Sequence, residues 1–167
     1  MLDKISWLHM NSKIVIFGDA GVGKTSLLTK LTKDEFVMKY VPTIGVSNVS
    51  HMFNTSNGKY ILNFYEYSGQ EKLNNISFER EYDVAIIMYD VTSHSTYNSV
   101  SEYFNKITCQ LDNIKVFVIG NKVDCKDRKV NKDNMTFSNE RCSYHEISVK
   151  TSPGEGRFSD FLKVTGL

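Results

Sequence analysis

The sequence predicts an α/β fold built on a mostly parallel sheet of about six strands, with helices on both of its faces. Apolar runs rich in β-branched residues recur along the chain and alternate with helix-forming segments, which is the pattern of βαβ units. The chain has 167 residues, enough to bury a sizeable core without disulfides or a structural metal. We therefore expect a single domain over residues 1–167.

The individual strands and helices follow from local patterns. Buried strands are predicted by short apolar runs at residues 13–17, 84–89, 115–119 and 144–147. Helices are predicted over residues 24–31, 95–109, part of 132–139 and 157–164. Because strands and helices alternate in this way, most neighbouring strands are expected to run parallel.

A different signal lies at residues 47–65, where two strand-like runs flank the dipeptide Asn57-Gly58. Asn-Gly tolerates the positive φ values of a tight hairpin turn, so we expect one antiparallel pair at an edge of the sheet. Residues 34–45 and 66–81, before and after this hairpin, are polar and mixed and show no clear period. They are predicted to form two mobile loops.

The most specific motif is the pattern GxxxxGK[ST], which runs from Gly18 to Thr25 directly after an apolar strand. Its glycines let the backbone wrap closely around a polyphosphate and turn several N–H donors toward it. Lys24 can place its ammonium on the β- and γ-phosphates, and Thr25 can offer a hydroxyl to Mg²⁺ at the positive end of the following helix. The alternative is an ordinary strand-to-helix turn, which the full pattern disfavours. The residues predicted to form this phosphate cradle are Ala20, Gly21, Val22, Gly23, Lys24, Thr25 and Ser26.

A phosphate cradle does not read the base, so the choice of nucleotide must come from elsewhere. Asn121 and Asp124 form an NKxD tetrapeptide after the strand at 115–119, where open α/β sheets bind ligands. The Asp124 carboxylate can accept hydrogen bonds from guanine N1–H and the 2-amino group. Adenine offers neither donor, so the carboxylate would stay unpaired at a cost of roughly 2–5 kcal/mol. The alternative is a simple turn after a strand.

Two further segments complete the predicted base site. The loop Ser148-Val149-Lys150 follows the last predicted strand and suits backbone N–H donors to guanine O6. Lys122 and Lys150 have aliphatic stems that can cover the faces of the base while their charges stay in water. With Asn121 and Asp124, these residues predict a guanine nucleotide as the ligand.

These motifs, in this order and near this spacing, resemble a small GTPase of the Ras superfamily over about residues 13–150. The resemblance implies a P-loop NTPase fold, the Ras-like G domain. It also implies a molecular switch that binds GTP or GDP with Mg²⁺ and hydrolyses GTP slowly to GDP and phosphate.

The resemblance assigns roles in the first switch loop to Phe36, Tyr40 and Thr43. Thr43 is implied to bind Mg²⁺ and the γ-phosphate, and Phe36 is implied to pack edge-on against guanine. The alternative for Phe36 is an aromatic residue of the core. Residues 43–46 and Gly18-Asp19 resemble the Rab branch, which implies a role in membrane traffic or signalling, although Asn48 replaces the aromatic residue usual there.

The second switch departs from the family pattern, which reads Asp-Thr-Ala-Gly-Gln-Glu. Gly69 is implied to sense the γ-phosphate, and Gln70 is implied to be the catalytic residue that orients the attacking water. Glu66 replaces the carboxylate that holds Mg²⁺ through water, so its longer arm either reaches the metal directly or displaces that water. The segment from 70 to 89 is about two residues short of the pattern. We therefore expect a restructured second switch, which here reads Glu66-Tyr67-Ser68-Gly69-Gln70-Glu71.

Two alternatives to an ordinary GTPase remain at this point. Glu66, Tyr67, Ser68 and Ala20 all differ from the common pattern and favour a hydrolysis-impaired pseudo-GTPase that acts as a nucleotide-locked binding module. A P-loop kinase or ATPase is disfavoured, because Asn121 and Asp124 indicate guanine and no arginine-rich lid is evident in the sequence.

Charge and composition bear on partners and location. The formal net charge of +1 gives no electrostatic case for nucleic acid. We expect a monomer that works with an effector, an exchange factor and an activating protein. Cys109, Cys125 and Cys142 show no ligand spacing and suit reduced thiols. With no apolar run of membrane-spanning length, we expect a cytoplasmic protein that reaches the cytoplasmic face of a membrane only through a lipidated tail or a partner.

Overall fold

The computed structural model describes residues 11–38, 41–55, 58–70, 81–131 and 141–151. This part of the chain contains six strands and two helices. In chain order they are β1 (Asn11–Phe17), α1 (Lys24–Lys33), β2 (Val46–Thr55), β3 (Gly58–Tyr67), β4 (Val84–Asp90), α2 (His94–Gln110), β5 (Lys115–Asn121) and β6 (Cys142–Glu146).

The strands form one six-stranded sheet in the order β2-β3-β1-β4-β5-β6. Strand β3 runs parallel to β1, and β1, β4, β5 and β6 pair in parallel with their neighbours. Only the edge pair β2 and β3 is antiparallel among the described strands, with Thr55 opposite Gly58. The expected mostly parallel sheet with an antiparallel edge hairpin is therefore confirmed. Residues 56 and 57 of its turn lie outside the described residues.

The two described helices cover opposite faces of the sheet. On one face, alternate β1 residues such as Ile14 and Ile16 pack in a cluster with Leu27 and Leu31 of α1. On the other face, Val15 and Phe17 belong to a cluster with side chains of α2. The period of two along a strand places successive residues on opposite faces, so both faces of β1 are buried. Helices on both faces are thus confirmed.

Local capping explains where the helices begin and end. Helix α2 follows Ser93, whose hydroxyl accepts a hydrogen bond from the Thr96 amide. Helix α1 ends at Asp34, which adopts a left-handed conformation and pairs with Lys30 at 2.9 Å. The predicted helices at 132–139 and 157–164 lie outside the described residues. None of the helices described is both long and apolar enough to cross a membrane.

The sequence wrongly placed Glu66 and Tyr67 in a loop, because both belong to β3. Glu66 lies opposite Ile16 of β1, and Tyr67 lies opposite Val46 of β2, so neighbours on both sides extend the strand. Tyr67 is buried and its ring stacks on Phe17 at 4.8 Å between centroids. The second loop therefore begins at Ser68. Strand β6 was also misplaced, because it covers Cys142–Glu146 and not 144–147.

Candidate functional site

A cleft of about 480 Å³ lies at the carboxyl ends of the parallel strands. This is the edge at which open α/β sheets bind ligands, and the loops after β1, β3 and β5 border it. Every predicted site residue lines the cleft except three. Val22 is fully buried in the core, Ser148 lies behind Asp124, and Tyr40 falls outside the described residues.

The loop between β1 and α1 has the backbone that a phosphate cradle needs. Gly23, immediately before α1, has a φ of 106°, and a Cβ there would overlap the side-chain amide of Asn121. Glycine is therefore required at this position both for its conformation and for its close approach. Because α1 begins at Lys24, the first turn of the helix faces the cleft with its free backbone N–H groups.

Lys24 crosses this loop and is almost completely buried, with 5% of its surface exposed. Its ammonium donates to the carbonyl oxygens of Gly18 at 2.7 Å and Asp19 at 3.0 Å. Burial lowers the pKa of Lys24, and the negative charges of Glu66 and Asp19 oppose that shift. A buried ammonium at the floor of a cleft is suited to binding an anion.

Thr25, Thr43 and Glu66 meet at one point although three different segments carry them. The Thr25 hydroxyl donates to the Glu66 carboxylate at 2.5 Å and lies 3.1 Å from the Thr43 hydroxyl. Thr43 donates to the same Glu66 oxygen at 3.3 Å. Octahedral Mg²⁺ with ligands at about 2.1 Å requires adjacent ligand oxygens about 3 Å apart. The 3.1 Å and 3.3 Å separations are close to this spacing and the 2.5 Å contact is shorter, so the three oxygens form a cluster of candidate ligands for one Mg²⁺ ion.

Asn121 joins the two halves of the cleft. Its side-chain N–H donates to the carbonyl of Val22 at 2.8 Å, and its side-chain oxygen accepts from the amide of Val149 at 3.1 Å. Both ends of the amide are thus bonded within the protein, and Asn121 is buried at the cleft wall. It therefore fixes the cradle relative to the loop at 148–150.

Asp124 is exposed at the end of the cleft where the sequence places the base. The Ser148 hydroxyl donates to its carboxylate at 2.6 Å and accepts from the Thr151 amide at 3.0 Å. Ser148 is buried, so it acts as a rigid support that orients the carboxylate. The sequence had assigned Ser148 only to a loop that contributes backbone donors.

Lys122 forms an ion pair that the sequence did not predict. Its ammonium pairs with Asp90 at 2.6 Å, because β4 and β5 end side by side with Asp90 opposite Asn121. Burial opposes ionisation of Asp90, but hydrogen bonds from Lys122 and Thr92 hold the pKa of the carboxyl below its usual range. The stem of Lys122 still lines the cleft, as does the exposed Lys150.

Gly69 packs directly on the backbone of the cradle. A Cβ at this position would overlap the amide nitrogen of Ala20 and the carbonyl carbon of Asp19. The preceding Ser68 donates its amide to the Gly45 carbonyl at 2.9 Å, which ties the second loop to the first. Gln70 is exposed, and its amide donates to the Ser68 hydroxyl at 3.3 Å. The restructuring predicted for the second switch stays a prediction, because residues 71–80 of the segment lie outside the described residues.

Phe36 packs against the core cluster under α1 and also lines the cleft, so its packing against guanine stays a prediction. Sequence reasoning missed several lining residues next to the motifs it had identified. The missed apolar residues between Phe36 and Thr43 lie within the first switch loop, and Cys125 directly follows Asp124, so their positions next to predicted site residues could have indicated them. The missed lining residues are Thr29, Val37, Met38, Val41, Ser68 and Cys125.

A family model described as the Ras family matches residues 13–160, from β1 past the whole cleft. The chain belongs to the Ras family. Members of the Ras family are generally GTPases that bind guanine nucleotides and Mg²⁺, so the resemblance to small GTPases of the Ras superfamily is confirmed at this level. The oxygen cluster and the buried lysine fit that pair of ligands.

Lys24 gives the Ras-family site a testable pH dependence. Its pKa in the free protein is lowered from the ordinary 10.5, whereas a bound polyphosphate would raise it. At a pH between the pKa of the free protein and that of the complex, GDP binding is accompanied by uptake of a proton on Lys24. GDP affinity should therefore fall as the pH rises above the lowered pKa of the free protein. The measurement is GDP affinity against pH for the wild-type protein and Lys24→Arg, since arginine stays charged. An equal fall of GDP affinity with pH in the wild-type protein and in Lys24→Arg would show that the titration of Lys24 does not cause the pH dependence.

Proposed function

We propose that the chain is a guanine-nucleotide switch that binds GTP and GDP with Mg²⁺ and hydrolyses GTP slowly, in a Rab-like role in membrane traffic or signalling. The supporting observation is the meeting of Thr25, Thr43 and Glu66, which brings the cradle, the first loop and the end of β3 to one point. A ligand held there would order both loops, and its loss would release them.

The proposed roles follow from position in the cleft. Lys24 binds the phosphates, and Asp124, oriented by Ser148, binds the guanine edge. Thr25, Thr43 and Glu66 would hold Mg²⁺, which supplies charge neutralisation at the phosphates when bound. The amide of Gly69 would sense the γ-phosphate, and the exposed Gln70 would orient the attacking water.

Slow hydrolysis and the need for partners have a common cause. No arginine lies between Phe36 and Thr43, so an arginine for the transition state would come from an activating protein. An effector could bind the exposed apolar side chains beside Thr43, of which Ile44 is 93% exposed. We also propose that the chain is a monomer with a single domain and that it works with an exchange factor. It binds no nucleic acid, lies in the cytoplasm and contacts membranes through a lipidated tail or a partner.

Nucleotide binding by the purified chain tests the proposal. We expect GTP and GDP to bind far more tightly than ATP, and chelation of Mg²⁺ to accelerate their release. Tighter binding of ATP than of GTP, or binding indifferent to Mg²⁺, would contradict it. The comparison needs no assumption about effectors or pathway.

The short contact between Glu66 and Thr25 also favours a second candidate, the hydrolysis-impaired pseudo-GTPase. Glu66 is 2% exposed and accepts a hydrogen bond directly from the Thr25 hydroxyl, so its carboxylate would bind the metal without an intervening water molecule. Mg²⁺ demands near-ideal octahedral geometry and usually keeps several waters. A direct carboxylate ligand would therefore leave the metal with one bound water molecule fewer beside the reacting phosphate.

Glu66→Asp distinguishes the two candidates. We expect the Mn²⁺-loaded wild-type GDP complex to hold fewer water molecules on the metal than Glu66→Asp, because the shorter arm readmits one. Electron paramagnetic resonance in ¹⁷O-enriched water counts them. Single-turnover GTP hydrolysis then decides: a rise of about tenfold or more in Glu66→Asp supports the impaired form. Equal water numbers in the two proteins would refute direct coordination.

A further inference from the structure

The side chain of Asp19 is bound on both of its oxygens by helix α2. The Ser99 hydroxyl donates to one carboxylate oxygen at 2.8 Å, and the Tyr103 hydroxyl donates to the other at 3.2 Å. Tyr103 is 4% exposed and its ring stacks on Phe17 of β1. Burial and the neighbouring Asp19 raise the pKa of Tyr103, so its hydroxyl stays protonated and remains a donor.

The backbone of Asp19 contacts two residues that line the nucleotide cleft. Its carbonyl accepts from the Lys24 ammonium at 3.0 Å, and Gly69 packs on the peptide between Asp19 and Ala20. Asp19 itself is not among the residues that line the cleft, whereas Ala20, Lys24 and Gly69 all are. One residue therefore connects α2 to the phosphate-binding lysine and to the start of the second loop.

We propose that Asp19, Ser99 and Tyr103 form a positioning group, the α2 brace, which holds the peptide between Asp19 and Ala20 in the orientation that binds phosphate. The inference rests on the proposed function, because it assigns to the brace an effect on nucleotide affinity. Hydrogen bonds to a carboxylate are stronger than those between neutral groups, and here they span two separate elements. Loosening the brace frees the carbonyl that holds Lys24 and the surface on which Gly69 rests. Bound nucleotide then leaves faster, and a contact on α2 can alter its residence time.

Ser99→Ala tests the brace, with Ser101→Ala as the matched control. Ser101 is exposed on the same helix, and its hydroxyl bonds only the Asn98 carbonyl among the described residues, at 3.1 Å. We expect fluorescent GDP to dissociate about five- to tenfold faster from Ser99→Ala in Mg²⁺ and within about twofold of wild type from Ser101→Ala. Ser99→Thr keeps a hydroxyl, so GDP should dissociate from it at a rate close to that of the wild-type protein.

A double-mutant cycle and hydrogen exchange separate a positioning role from a general loss of stability. In an Asp19→Ala background, Ser99→Ala should add little, because the hydrogen bond is already lost. Amide exchange at residues 19–21 of the nucleotide-free chain should accelerate in Ser99→Ala and stay unchanged in Ser101→Ala.

The two readouts keep the brace and the proposed function distinguishable. GDP dissociation and amide exchange that are equal in Ser99→Ala and Ser101→Ala would overturn the brace, even if the wild-type protein binds GDP tightly. Failure of the wild-type protein to bind guanine nucleotide would overturn the proposed function. In that case, faster amide exchange at residues 19–21 in Ser99→Ala but not in Ser101→Ala would still show that α2 holds the cradle in place.

Discussion

Replacing Asp124 with alanine is expected to weaken GTP binding by about two to three orders of magnitude while strengthening ATP binding, because the carboxylate that adenine leaves unpaired is gone. The carboxylate can accept from the two donors on the guanine edge, and Ser148 already orients it with a 2.6 Å hydrogen bond. Its removal leaves those donors without a partner, whereas adenine presents neither. The preference for GTP over ATP should therefore collapse, as measured by competition of both nucleotides for a fluorescent GDP probe.

The control for Asp124→Ala is Asp127→Ala, because Asp127 is also exposed but is not among the residues that line the cleft. It should keep wild-type GTP affinity. Inosine triphosphate, which lacks the 2-amino group, should bind the wild-type protein more weakly than GTP and should be less affected by Asp124→Ala. An Asp124→Ala protein that still prefers GTP strongly over ATP would refute the assignment of Asp124 to the base.

Gly69→Ala is expected to reduce single-turnover GTP hydrolysis by about a hundredfold to a thousandfold, the usual cost of losing one preorganised donor at the transition state. The added methyl cannot fit, because it would overlap the Ala20 nitrogen and the Asp19 carbonyl carbon. The segment must move away from the cradle, and the Gly69 amide moves with it. The preference for GTP over GDP should also fall, since only GTP carries the γ-phosphate.

GDP affinity is the internal control for Gly69→Ala and should stay within about threefold of wild type, because the cradle does not need Gly69 to bind two phosphates. A second control follows from the identity of the overlapped atoms. They belong to the backbone, so Ala20→Gly in the same chain should not restore hydrolysis. Full rescue by Ala20→Gly would mean that side-chain crowding, and not the backbone contact, governs this position.

The places of the GxxxxGK[ST] and NKxD motifs in the fold could be predicted because both motifs have fixed short spacings directly after apolar strands. Gly18 to Thr25 follows β1, and the NKxD tetrapeptide begins at Asn121, the last residue of β5. In such motifs the local backbone places the functional groups, so a short stretch of sequence contains most of the information. Long-range features had no comparable local signal.

Three features of the site depend on strand register or on helix packing. Glu66 and Tyr67 look like a polar loop, and pairing with both neighbouring strands makes them part of β3. The pair of Lys122 and Asp90 exists because the ends of β4 and β5 align. Ser99 reaches Asp19 only after α2 has packed on the sheet. None of these contacts has a local sequence pattern that would predict it.

The extension of β3 through Tyr67 sets the pivot for any rearrangement of the second loop. Its phenol ring is buried and stacked on Phe17, with its hydroxyl 3.5 Å from that of Tyr82. A side chain held in this way cannot swing with the nucleotide state without opening the core. Glu66, one residue earlier, is anchored by the same strand. The Glu66 carboxylate therefore belongs to the fixed frame of the sheet, and we expect any rearrangement of the second loop to begin at Ser68.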